Sequence, residues 1–291
     1  MVNNLEKYAA EKSAAEKKVI IGAPILILGI VLAILLGELG LYLGIPLFIG
    51  GAVYAGIGAS GFSKLSKNFK NEVLTGLIDT FVEDGHFDPH QGLSQSQVYS
   101  TEFLKRADRF HSEDFLSGKM EGVEFVSSDV KLEERHVEHT KNGTRTYYET
   151  YFLGRIFIFD FNKPFDGYLQ VLEHGRPKKN RGYNKVKLES VQFNKKFKTF
   201  TTSDHSAFYV LTPHFMEALM SFEQKNKGSV SFSFIDNYLY IGVNNFKDTF
   251  ELQMFRKLDE SVFEEFKRDL LVIQDVVKEL RLNNNIFKKG V

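Results

Sequence analysis

The densest run of side chains able to do chemistry is basic. Arg176, Lys178, Lys179, Arg181, Lys185 and Lys187 crowd one short stretch, Lys195, Lys196 and Lys198 follow, and Glu189 is the only acidic residue among them. Such a cluster can hold anions: near an acidic membrane, each basic side chain contributes about 1 kcal/mol. The same residues also suit a solvated loop leading into a strand edge guarded by lysines.

His86, Asp88 and His90 alternate, so on a strand all three would leave one face as candidate metal ligands. Pro89 argues instead for a solvated loop, and no fourth ligand or known metal spacing accompanies them. His136, Glu138 and Glu149 could likewise gather a divalent ion, although cross-strand charge pairing explains them as well. Gly56-Ile57-Gly58-Ala59-Ser60-Gly61 copies the dinucleotide-binding fingerprint, with Asp79 near the spacing of a ribose contact. That fingerprint needs a preceding strand, whereas these glycines close an apolar run of helical length. No cofactor is therefore expected. Hydrolase elbow, Walker loop, HExxH pair and paired-carboxylate motif are all missing from the sequence.

Formal charge sums to zero over 291 residues, so no global field draws the chain to nucleic acid, and none is expected as a partner. Cysteine is absent, which excludes disulfides, thiolate metal sites and a cysteine nucleophile. Tryptophan is absent too, while phenylalanine reaches 28 residues, a usage that fits AT-rich codons.

The elements that must carry these residues begin with an anchor. From Val19 to Ala59 the only formally charged residue is Glu38. A helix rises about 1.5 Å per residue and the bilayer core is about 30 Å thick, so Val19 to Leu36 and Leu39 to Ala59 each approach spanning length. Gly37 and Glu38 supply the turn. Lys7, Lys12, Lys17 and Lys18 precede the first span, Lys64, Lys67 and Lys70 follow the second, and the turn has neither Lys nor Arg. Both termini are therefore expected in the cytoplasm of a two-pass protein of the cell membrane. Gly40 and Gly44 are expected to pack within the hairpin.

Residues 1–18 should form a solvated cytoplasmic helix ahead of the hairpin at 19–60, with Lys7 and Glu11, and Lys12 and Glu16, at i, i+4 spacing. Phe62, Leu65, Phe69, Val73, Leu77, Ile78 and Phe81 give residues 61–83 an amphipathic helix, expected to dock on the soluble part. Residues 84–291 then read as a cytoplasmic α+β domain, mainly antiparallel strands with capping helices.

Within it, Lys141-Asn142-Gly143-Thr144 marks a hairpin that places Val137 opposite Tyr148, Leu132 opposite Leu153 and His136 opposite Glu149. Phe152 to Phe161 is apolar on both faces and reads as a central strand. A second hairpin turns at Asp236-Asn237, and Phe250 to Phe255 reads as a following strand. Thr212 and Pro213 start one helix, and Ser261 with Glu264 form a capping box for another that Asn283 to Asn285 end.

The pattern running from Val186 to Phe197, with Asp204, Ala207 to Pro213, Phe215-Met216 and Phe232 to Ile241, resembles the bacterial family called domain of unknown function 3137. Glu113 to Gly118, Phe157 to Lys163 and the two-span hairpin are similar to that family as well. The resemblance implies a bacterial membrane protein and makes a LemA-type membrane protein a candidate partner. It carries no catalytic residue over. The expectation is a membrane-anchored binding or scaffolding module, whose basic segment meets the lipid bilayer, through its anionic phospholipid headgroups, or a protein partner. The rival is a membrane-tethered enzyme, possibly metal-dependent, with a site assembled from distant residues.

Overall fold

A computed structural model describes residues 2–141, 143–160, 167–280 and 282. Asn142, the Phe161 to Lys163 end of the family motif and the helix stop at Asn283 to Asn285 lie outside the described residues. In chain order the elements are α1 (Val2–Leu35), α2 (Gly37–Phe81), β1 (Glu83–Asp88), α3 (Gln95–Tyr99), β2 (Arg109–Met120), β3 (Val123–Thr140), β4 (Gly143–Asp160) and β5 (Tyr168–Leu172). Then follow β6 (Asn184–Val186), α4 (Val191–Lys196), β7 (Lys198–Thr201), α5 (Asp204–Val210), α6 (Pro213–Lys225), β8 (Ser229–Ile235), β9 (Tyr238–Asn244) and α7 (Glu260–Glu279). The fold is α+β, and the chain divides into two units. One holds the residues up to Leu74 together with Phe250–Phe266; the other holds Thr75–Thr249 and the residues from Lys267 onward.

In the first unit, α1 and α2 fold back on each other as an antiparallel hairpin. The chain reverses at Leu36 and at Gly37, whose φ of +58° is costly for any residue with a Cβ, so the turn comes one residue earlier than Gly37-Glu38 suggested. Glycines set the spacing of the helices: a Cβ on Gly29 would lie 2.5 Å from the Phe48 nitrogen, and one on Gly44 2.5 Å from the Gly29 oxygen. Gly40 and Gly44 thus face the other arm of their own hairpin. Both helices are long and apolar enough to cross a membrane, and most exposed large hydrophobics of the chain fall between Ile20 and Ile57. Apolar surface on that scale needs a cover other than water.

Helix α2 continues through residue 60 into the amphipathic stretch without a break. Phe69 of that stretch is 1% exposed and meets the Phe263 and Phe266 rings at 5.8 and 6.2 Å. Lys70 pairs with Glu251 at 2.6 Å, and Lys12, also paired with Glu16, donates to the Arg256 carbonyl at 2.7 Å. The expected strand from Phe250 to Phe255 does not form. Positive φ at Phe250 (61°) and Phe255 (67°) breaks any extended run between them.

The second unit is built on one antiparallel nine-stranded sheet, ordered β1-β2-β3-β4-β9-β8-β5-β7-β6. Strand β4 lies between β3 and β9 and is buried on both faces over its second half, which explains its unbroken apolar run. On one face Phe232 and Phe234 of β8 pack against Phe222 and Phe215 of α6 at 5.9 Å each. On the other, Leu172, Phe200, Ile235 and Tyr240 join Phe103 and Val98 in a second cluster.

The Asp236-Asn237 hairpin forms as read, with Ile235 opposite Tyr238. In the β3–β4 hairpin the register differs: Thr140 faces Gly143, so Val137 meets Thr146, His136 meets Tyr147, and Leu132 meets Phe152. The reversal sits one residue earlier than the Asn-Gly pair suggested, and a bulge between Leu132 and Glu133 then shifts the inner half by one. Thr212 caps α6 as expected, accepting from the Phe215 nitrogen at 3.3 Å. The start of α7 is capped differently, because Asp259 accepts from the Ser261 nitrogen at 3.0 Å and from its hydroxyl at 2.6 Å. Ser261 therefore lies inside the helix and is not its cap.

Candidate anion-binding site

The basic segment is the connection from β5 to β6, at the end of the sheet. Backbone pairing continues briefly past β5, where the Glu173 nitrogen donates to the Val230 carbonyl at 3.4 Å and the Glu173 carboxylate accepts from the Val230 nitrogen at 3.0 Å. The chain then reverses at Gly175 (φ +82°) and returns at Gly182 (φ +75°), two positions where glycine removes the strain of a left-handed backbone.

Glu102 anchors the loop between them. Its carbonyl accepts from the Lys178 nitrogen at 2.8 Å, and its carboxylate takes a forked pair of bonds from Arg181 at 2.8 and 2.7 Å. Lys179 at 3.1 Å and the Tyr183 hydroxyl at 3.2 Å complete its shell. Arg181 also lies 4.0 Å from the centre of the Tyr168 ring and donates to its hydroxyl at 2.8 Å. Burial alone would raise the Glu102 carboxyl, but the bonds from Arg181 and Lys179 outweigh it and hold the group below its ordinary range. Burial, with Glu102 beside it, pushes the Tyr183 hydroxyl well above the usual phenol value.

Strand alternation builds the other wall. Lys185 of β6 stands opposite Phe200 of β7, so Tyr183, Lys185, Lys198 and Phe200 share one face of the sheet end. Loop and sheet end enclose a basin of about 560 Å³ lined by Arg176, Lys178, Lys179, Lys185 and Lys198, with the Tyr183 and Phe200 rings. No carboxylate lines it. Among the described residues Lys179 alone of these cations has an acidic partner, Glu102. Across Lys178 and Lys179 lies a second cavity of about 700 Å³, where those two lysines, Lys105, Arg106 and Arg181 meet Glu102 and Asp236. Carboxylates therefore offset part of the charge in the second cavity, and none lines the first.

The structure thus gathers Arg176, Lys178, Lys179, Arg181 and Lys185 around the two cavities, whereas Lys187 lies beyond the end of β6 and lines neither. Lys196 is neutralised by Glu173 at 3.0 Å and Glu223 at 2.6 Å. His86 and Asp88 sit on β1 and His90 in the turn after it, where its nitrogen donates to the Asp88 carboxylate at 2.8 Å. They do not form a cluster of possible metal ligands. His136 stacks on Tyr147 at 5.2 Å and pairs diagonally with Glu149 at 3.2 Å, while Glu138 accepts from the Tyr147 hydroxyl at 3.2 Å.

One group of carboxylates does converge among the described residues: Asp114, Asp129 and Asp248 place ligand atoms within 4.8 Å of one another. Their chemistry favours an ion-pair network over a cation site. Arg155 donates to Asp129 at 2.6 Å and the Thr249 nitrogen takes its other oxygen at 2.7 Å, so both Asp129 oxygens are engaged.

Sequence reasoning passed over Glu102, Tyr183 and Phe200. Glu102 carries no local signal, since its partner Arg181 is 79 positions away.

No protein with a curated description matches the chain. Among solved structures, the crystal structure of the mycobacterial trehalose monomycolate transport factor A, TtfA, is similar over 73% of this chain and 96% of that chain, at 6% identity and a TM-score of 0.38. A likeness that distant transfers no property. Residues 150–282, which include the loop and both walls of the basin, match a family model described as "Protein of unknown function (DUF3137)"; Glu113 to Gly118 and the helical hairpin lie outside that stretch. Over those residues the chain resembles the DUF3137 family, as its strand and cap motifs suggested.

Proposed function

We propose that the chain is a membrane-anchored binding module whose second unit holds phosphate-bearing ligands in the basin beside the β5–β6 loop. α1 and the apolar part of α2 are its anchor, and the lysine flanks support a cytoplasmic placement of both termini. One observation carries the reading: Arg176, Lys178, Lys185 and Lys198 surround a single cavity with no acidic partner among the described residues. Like charges held together without counter-charge are unfavourable, and an anion relieves them. The lining also supports binding over turnover. Its titratable side chains are lysine amines, one guanidinium and one phenol that holds its proton tightly, without the carboxylate, imidazole or thiol that most often serves as a general base.

The phosphate could belong to a lipid headgroup or to a soluble ester. Full-length protein in nanodiscs distinguishes them, with protection of Lys178, Lys179 and Lys185 from acylation read by mass spectrometry. Protection in discs rich in phosphatidylglycerol identifies the headgroup; protection by tripolyphosphate in neutral discs identifies a soluble ligand. Screening by salt should abolish either effect. Absence of protection in both would overturn the proposal.

A further inference from the structure

Resting on that phosphate-binding reading, we infer that the ligand carries a flat ring as well as phosphates, and that its class is a nucleoside polyphosphate. The Tyr183 and Phe200 rings line the same cavity as the cations. Phe200 is 8% exposed and belongs to the core cluster, so the half-buried Tyr183 ring is the one that can receive a ligand. Tyr183 is held in place: its hydroxyl donates to Glu102 at 3.2 Å, Gln170 donates to it at 3.4 Å, and the Tyr168 ring meets its own edge-to-face at 6.4 Å. Among the described residues no cation lies over either ring, although five line the cavity around them. The ring faces are thus unused by the protein's own lysines.

A lipid headgroup or simple phosphate would answer the cations and leave the aromatic surface idle. A base stacked on Tyr183, with a chain of phosphates reaching Arg176, Lys178, Lys185 and Lys198, satisfies both kinds of wall at once. The size is suitable. About 560 Å³ falls within the roughly 300–1,000 Å³ typical of small-molecule sites. Stacking serves every base, so the ring itself asks little of base identity.

The test is isothermal titration of the full chain in neutral nanodiscs with ATP, GTP and tripolyphosphate. Both nucleotides should bind at least about tenfold more tightly than tripolyphosphate, the contribution of one stacked base. In Tyr183→Leu the ratio of nucleotide to tripolyphosphate affinity should fall to about one, each measured on the same variant. Tyr183→Phe keeps the ring and should keep the advantage, which separates stacking from loss of the hydroxyl bond. Equal affinity for nucleotides and tripolyphosphate would overturn the ring and leave the phosphate reading standing. Failure of all three to bind, with headgroup protection intact, would also overturn the nucleotide and assign the basin to lipid; failure of every phosphate probe removes both proposals.

Discussion

Glu102 is where the chemistry of single residues is most concentrated. Its side chain is 2% exposed and its φ is +58°, an uncommon conformation for a residue with a Cβ, yet it fastens Lys178, Lys179, Arg181 and Tyr183. Glu102→Gln would leave Arg181 facing an amide, and stability should fall by about 2 kcal/mol, since half-buried guanidinium loses its charge-assisted bonds. Thermal unfolding of the full chain in neutral micelles checks this. The acid limb gives a second signature. The folded carboxyl is held below its ordinary value of 4.5, so its contribution is complete above that pH and is lost as pH falls through the lower folded value. The parent should therefore lose stability in that window and Glu102→Gln should not. Identical acid limbs would show that Glu102 does not lock the loop. Arg181 was visible in the sequence as one of several cations, but which of them pairs with a carboxylate and which does not was hidden. That division depends on one carboxylate brought from a distant segment.

Among the elements, hairpins differ in how well the sequence defines them. β8 and β9 alternate strictly around Asp236, whose φ of +54° is a turn conformation that Asp tolerates, and register follows. The β3–β4 ribbon has polar residues on both faces near its tip, so a shift there exposes nothing apolar, and burial does not choose among registers. The two-residue difference between expected and observed pairing arises there. Gly143 still has a φ of +131°. Gly143→Val should strain the tip and cost about 1 kcal/mol or more, read as a lower melting temperature of the full chain. An unchanged melting temperature would show that the tip adapts freely. The three residues of β6 were illegible for another reason: Asn184 and Lys185 have weak strand propensity, and only pairing with β7 extends them.

At the scale of the whole molecule the two long apolar helices were the most legible part, because apolar length alone carries them, whereas the basin needed the β5–β6 connection to meet β7, with Glu102 from a distant segment holding the loop. The proposed topology is accessible through single cysteines, since the chain has none of its own. Ser13, Glu38 and Thr146 are exposed in the structure and accept the substitution. In intact cells an impermeant maleimide should label cysteine at 38 and leave 13 and 146 unmodified. Labelling at 146 would invert the orientation.

The ends of the nine-stranded sheet have a consequence for crowding. Anchored proteins share two dimensions, where neighbours meet more often than in solution, and unpaired strand edges are the surfaces by which sheets fuse. Here one outer strand, β6, is three residues long and carries Lys185, and the other, β1, is six residues long with an irregularity between Glu83 and His86. Neither presents a long flat template, so under the proposed anchoring a dense population in one membrane can keep its sheets separate.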